Sequence, residues 1–202
     1  MYALVEDNEI TKFINYPKAM VIGDVQYPAK IFQLWSSSEL EAIGIYEVVF
    51  NDSNKKDEQW YINTNQSFAF ADDVVTASYG TATAKAHADT LWTAQDETDG
   101  KGTEGEVATR GLKYNLIQTL KQQVAGILSN TDWYITRNTE KSTAIPSAIS
   151  THRDAVRTKQ ASMETAITNA SDTPALETLY TYTTDSDGVQ SRPLGELPTL
   201  ES

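Results

Sequence analysis

The stretch TDWYITRNTEKSTAIPSAISTHRDAVRTKQASMETAITNA, residues 131–170, decides how this chain is put together. Ile149, Val156, Met163 and Ala170 stand seven apart, a period that keeps one narrow seam of a helix turned toward a partner helix. Pro146 suits the first turn of that helix, which is predicted over residues 146–170. Ala170 closes the seam, and Arg153 and Gln160 interrupt it, so it makes a weak two-helix core that needs company. Packing against a helix of the same chain and pairing with another copy both satisfy it. In front of the helix lies a polar connector that begins with Trp133 and Tyr134. Rings of this kind either plug the end of a helical hairpin or anchor a neighbouring subunit, because Trp, Tyr and Arg dominate interface hot spots.

Upstream, Thr103 and Glu106 form a capping box before a helix predicted to run to about Ser129. Val107, Tyr114, Ile117, Val124 and Leu128 share one face, and Leu116, Leu120 and Ile127 widen it beyond a plain coiled-coil seam. The two helices read as a hairpin or bundle arm. The first seventy residues read instead as short strands and turns. YALVED and ITKFI flank Asp7 and Asn8, which tolerate left-handed angles, and predict a hairpin. VQYPAKIFQLW alternates imperfectly, and Pro28 assigns it to a sheet edge. Ser36 with Glu39 caps a short helix ended by Gly44, and IYEVVF, QWYIN and SFAFA follow as strands. The Ala, Thr, Asp and Gly of residues 72–102 carry little core, and DETDGKGTEGE reads as a linker open to proteolysis. Asp187 and Gly188 mark a tight turn in the segment that follows residue 170. The expected fold is α+β: a β-rich head with one short helix over 1–71, a connector over 72–102, a helical arm over 103–170 and an extended tail over 171–202.

The formal charge is −12, and it is uneven. Residues 51–100 hold nine acids against three lysines and 171–202 hold six against one arginine, whereas 131–170 hold five bases against four acids. Such acidity argues against nucleic acid or an anionic membrane as partner, since either needs a concentrated positive surface. There are no cysteines, so disulfides and thiolate metal sites are excluded. The start MYALVEDNEI has acids where an export signal has a basic then apolar run, and no window has the ~20 apolar residues of a membrane span. Synthesis in a cytoplasm without the usual export is expected.

Chemistry finds little footing. His87 and His152 are the only histidines and too few for a structural zinc site; His152 is placed in solvent or beside the seam. No G-x-S-x-G elbow occurs, and Gly100, Gly102 and Gly105 lack the following lysine and hydroxyl residue of a phosphate loop. Asp96, Asp99 and Glu104, or Asp185 and Asp187, miss the ligand spacing of an EF-hand and read as turn acids. Asp72 and Asp73 read likewise as solvated acids at a turn. No enzyme activity, cofactor or metal is expected. The residues singled out are contact residues: Trp133, Tyr134, Arg137, Ile149, Arg153, Val156, Arg157 and Met163. Arg153 and Arg157, four apart on one helix face, would together clamp a carboxylate.

Asp132, Trp133, Tyr134, Arg137, Glu140, Ile145, Pro146, Arg153 and Arg157 together resemble a pattern, DWY..R..E followed by iP and two arginines, found in small tail-associated proteins of tailed bacteriophages. WSSSELEAIGIYEVV is similar to a module at the head of many such proteins. The chain departs from the pattern at Ser147 and Ala148, where an acid often follows the proline. The resemblance implies a virion tail component, of baseplate, adaptor or fibre-connector type, that contacts other tail proteins and copies of itself and uses no cofactor. An assembly chaperone that leaves before the particle matures is the first alternative. A glycan- or peptidoglycan-cleaving tail enzyme is the second.

Overall fold

The computed structural model describes residues 1–200 and shows a mixed α+β chain with seven helices and a curled β half-barrel. It divides into two compact units, Met1–Thr83 and the part from Ala84 onward.

The first unit contains β1 (Tyr2–Glu6), β2 (Glu9–Ile14), β3 (Met20–Ile22), β4 (Val25–Tyr27), α1 (Ile31–Leu34), α2 (Ser37–Glu41), β5 (Ile45–Asn51), β6 (Tyr61–Ile62), β7 (Ser67–Ala71) and β8 (Val74–Ser78). Its sheet has the order β2-β1-β5-β8-β7, antiparallel throughout except for the parallel β5–β8 pair. The first hairpin turns on Asp7 and Asn8 with φ of 53° and 63°, as their side chains predict, and Asp72 and Asp73 repeat the device between β7 and β8 with 50° and 59°. One sheet face buries Leu4, Ile14 and Ile45 with Met20, Ile31 and Leu40 from the elements laid over it. The other buries Ala3, Val5, Val48, Val75 and Ala77. A bulge between Leu4 and Val5 shifts the register, opposing Lys12 to Leu4 and Ile10 to Val5; Ile10 and Phe13 thereby share that second face despite odd spacing. The sheet curls until its margins approach, the rings of Phe13 in β2 and Phe68 in β7 meeting at a 53° tilt with centroids 4.5 Å apart.

The capping box at Ser36 and Glu39 forms as predicted, and hydrogen bonds from the Ser36 backbone and side chain hold the Glu39 carboxyl below its usual range. Gly44 has φ of 81°, and a Cβ there would strike the Val5 carbonyl, so β5 leaves α2 at a point only glycine occupies. Two expectations fail in this unit. VQYPAKIFQLW is not one edge strand: Tyr27 ends a small hairpin and Ile31–Leu34 is a helical turn that buries Ile31. Val74–Ser78, expected to be core-poor, lies inside the sheet with Val75 and Ala77 wholly buried. A strand pairing on both sides needs only small or β-branched inward residues, which composition alone does not flag.

From the unit boundary onward come β9 (Thr83–Ala84), β10 (Thr90–Leu91), α3 (Ala94–Thr98), β11 (Val107–Thr109), α4 (Leu112–Ser129), α5 (Asp132–Lys141), α6 (Ser147–Asn169), α7 (Thr173–Tyr180), β12 (Thr183–Thr184) and β13 (Gln190–Ser191). α4 and α6 pack on one another. Leu120 and Val124 of α4 are buried, as are Ile149, Val156, Met163 and Ile167 of α6 and Leu176 of α7. The sevenfold seam thus lies inside this chain, completed by Ala170 at the end of the helix.

The flanks of the helices differ from expectation. The capping box belongs to Thr93 and Asp96, opening α3, and not to Thr103 and Glu106; Val107 is in a strand and α4 starts at Leu112. DETDGKGTEGE is no open linker: Lys101 reaches Asp96 at 3.0 Å and Asp99 at 3.1 Å, and the Gly105 N–H donates to the Trp92 carbonyl. The segment after residue 170 is not simply extended, since Asp172 caps α7 and the predicted turn at Asp187 and Gly188 joins β12 to β13. Among the described residues no helix is long and apolar enough to cross a membrane.

Candidate functional site

α5 replaces the polar connector expected between the two long helices, and it carries the aromatic pair. Thr131 precedes it, Asp132 occupies its first turn, and Lys141 its last, the charge placement that a helix dipole favours at each end. Ser142 then takes φ of 52° and ends the helix. Four residues apart, Trp133 and Arg137 meet on one face, with the guanidinium carbon 4.7 Å from the Trp133 ring centre and 5.6 Å from that of Tyr134. The two rings lie 3.7 Å apart. Trp133 is 51% exposed, while Tyr134 and Arg137 are half-buried; Ile135, 40% exposed, lies two residues on and so projects from a different side of the helix. Arg137 has no ion pair among the described residues, and its Nε is buried without an acceptor.

Beneath this surface, Arg153 secures α5 to α6. Its Nη1 donates to the Leu128 carbonyl at 2.7 Å and to Thr131 Oγ1 at 2.6 Å, and its Nη2 meets Asp132 Oδ1 at 2.8 Å. Arg153 and Thr131 are buried, so a cation is held at the α4–α5 corner by one carboxylate and two neutral acceptors.

The predicted contact residues therefore divide. Trp133, Tyr134 and Arg137 form one cluster on α5. Ile149, Val156 and Met163 are core of the helical unit, and Arg153 is an internal tie. Arg157 is exposed and paired with Asp154 at 3.3 Å, so Arg153 and Arg157 do not act together on one carboxylate. His152 is buried beside the seam.

No group of three or more potential metal ligands comes together among the described residues. Asp96 and Asp99 are engaged by Lys101, and Asp185 accepts the backbone N–H groups of Asp187 and Val189, as turn acids do. No protein-family model, curated protein or solved structure matches this chain.

Proposed function

We propose that this chain is a non-enzymatic structural subunit of a bacteriophage tail, a baseplate, adaptor or fibre connector that works by protein–protein assembly and resides in the virion in several copies. In this reading the strand-rich part is a head and the long helices an arm. The observation that carries it is the α5 cluster: Trp133 half exposed, Tyr134 against it, and Arg137 over both rings without an ion pair among the described residues. Bulky rings at low entropic cost with an adjacent guanidinium are the groups that supply most of the energy at protein interfaces. The cluster falls within the DWY..R pattern that resembles tail-associated proteins. Its partner is a neighbouring tail protein that presents a carboxylate beside an apolar pocket.

Changing Trp133 and Arg137 together to Ala tests it. The variant is expected to fold with unchanged helix content and to lose about tenfold or more in incorporation into particles, because truncating a hot spot costs ~2 kcal/mol or more. Normal incorporation refutes the role of the cluster. Mass spectrometry of purified particles then separates a tail part, present at fixed copy number, from an assembly chaperone, absent from mature virions.

A further inference from the structure

Residues 192–200 run as a strap along the helices α4 and α6. Among the described residues three clefts border it. One of about 480 Å³ is framed by Gly126, Ile127 and Met163 with Glu196 and Leu197. One of about 420 Å³ lies between Ala148, Thr151 and Ala155 of α6 and Pro198 with Leu200. The third, of about 280 Å³, has Ile127, Thr131 and His152 on the helix side and Leu197 to Leu200 on the other. The strap thus divides and underfills one longer groove. From Ser147 to Met163 that groove follows α6 for about 24 Å at ~1.5 Å per residue, and the strap enters it after a turn in which the Gly195 N–H donates to the Arg192 carbonyl at 2.9 Å. Strap and helix run in opposite directions, since Glu196 borders Met163 while Leu200 borders Ala148.

The strap is loosely held. Its Leu194 is buried and donates its N–H to the Leu179 carbonyl at 3.0 Å. Beyond it, no backbone hydrogen bond fixes Glu196–Leu200 to the helices among the described residues. Leu197 and Pro198 are half-buried, Leu200 is 43% exposed, and Glu196 hydrogen-bonds Tyr182 and pairs with Arg192 of the strap itself, with Lys159 of α6 adding a longer-range attraction. Gly195, with φ of 71°, gives the chain a place to bend between the anchored and loose parts.

We propose that this strap is exchangeable, and that the α4–α6 groove takes the same leucine- and proline-bearing segment from a second copy of the chain. The occupant is the one whose fit is already realised: a neighbour's strap has the side chains that the groove holds within its own chain. In the isolated molecule the tethered strap has the advantage of effective concentration, so exchange emerges where copies are crowded. This goes beyond the tail assignment and stands whether or not that assignment does.

The probe is a fluorescent peptide of sequence RPLGELPTL, residues 192–200, titrated into the full chain and followed by anisotropy. The variant Leu197→Asp, whose own strap is weakened, is expected to bind it at least tenfold more tightly than the wild-type chain, since removing the internal competitor raises the open fraction. A Leu197→Asp peptide is expected to bind at least tenfold more weakly. Equal affinity of both chains for the peptide, or no binding by a folded Leu197→Asp chain, overturns the groove. If that variant loses helix by circular dichroism, Leu200→Asp at the half-exposed end replaces it in the same titration. Two differently tagged full chains, mixed at high concentration, are expected to co-purify and to stop doing so when excess peptide is added. Failure to co-purify while the peptide binds overturns the second copy as occupant.

Discussion

Replacing Asp132 by asparagine isolates the tie that holds α5, and with it the aromatic cluster, to the helical core. The Arg153 side chain is only 8% exposed and Asp132, at 2.8 Å, is its sole carboxylate among the described residues. Removing one partner of a fully buried pair costs ~3–5 kcal/mol because the other charge is left uncompensated. Asp132 is 60% exposed, however, so water screens part of the interaction and the cost drops to about 2 kcal/mol, including the lost acid at the helix start. Arg153→Met takes the cation away instead. The Leu128 carbonyl keeps the Thr131 N–H and hydroxyl, both at 3.0 Å, so no buried polar atom is orphaned and the cost is about 1 kcal/mol. The milder effect of deleting the larger group is the signature. In the double variant, adding Asp132→Asn to Arg153→Met should cost almost nothing more, giving a coupling of about 1–2 kcal/mol. Urea titration of the four proteins, followed by far-ultraviolet circular dichroism to report the helices, measures it. Additive costs, or an Asp132→Asn variant as stable as wild type, would refute the claim that this carboxylate holds the buried cation.

Val156→Asp places a charge at a position with no exposed surface and should unfold the helical unit or cost several kcal/mol, read as loss of ellipticity and an earlier thermal midpoint. Asp73→Gly should raise stability by about 0.5–1 kcal/mol in the same titration, since φ of 59° is freely available to glycine and the turn geometry is kept. The Asp96 carboxyl is drawn down to about 2, first by the Thr93 hydroxyl and backbone and then by Lys101. A depressed carboxylate stabilises above its unfolded pKa of ~3.9 and loses that contribution as pH falls through the folded value. The Thr93–Asp96–Lys101 clasp should therefore persist at pH 4 and open between about pH 4 and 2, seen as faster pepsin cleavage near Gly100 that Asp96→Asn already shows at pH 4.

Local chemistry was legible where one or two side chains dictate a backbone state. Asp7 with Asn8, Ser36 with Glu39 and Asp187 with Gly188 form turns and caps where their side chains predict them. The α6 seam was legible because a sevenfold period needs no tertiary information. What escaped depends on partners distant in the chain. Val74–Ser78 pairs with β5 and β7 on either side, and its Val74, Val75 and Thr76 favour a strand; the Ala-, Thr- and Asp-rich sequence around it hid that local signal. α5 escaped because Asp132–Lys141 is mostly polar and its first turn is anchored by Arg153, a residue from the following helix. Thr103 and Glu106 had the spacing of a capping box without the helix behind them, since residues 107–109 pair with β10. Of the α5 site, the residue types could be read from sequence, while the inward turn of Arg153 and the outward turn of Arg157 could not.

The curl of the five-stranded sheet has a consequence for how the protein fails. β2 and β7 are its outermost strands, and rows of bare backbone donors and acceptors on such strands recruit foreign strands. Here the margins bend toward each other and the Phe13 and Phe68 rings close the gap between them. A molecule stored or assembled at high density is thereby less open to indiscriminate stacking, and that pair of rings contributes to the closure. Damage to that pair would surface first as clumping during expression, well before any loss of helix or of binding.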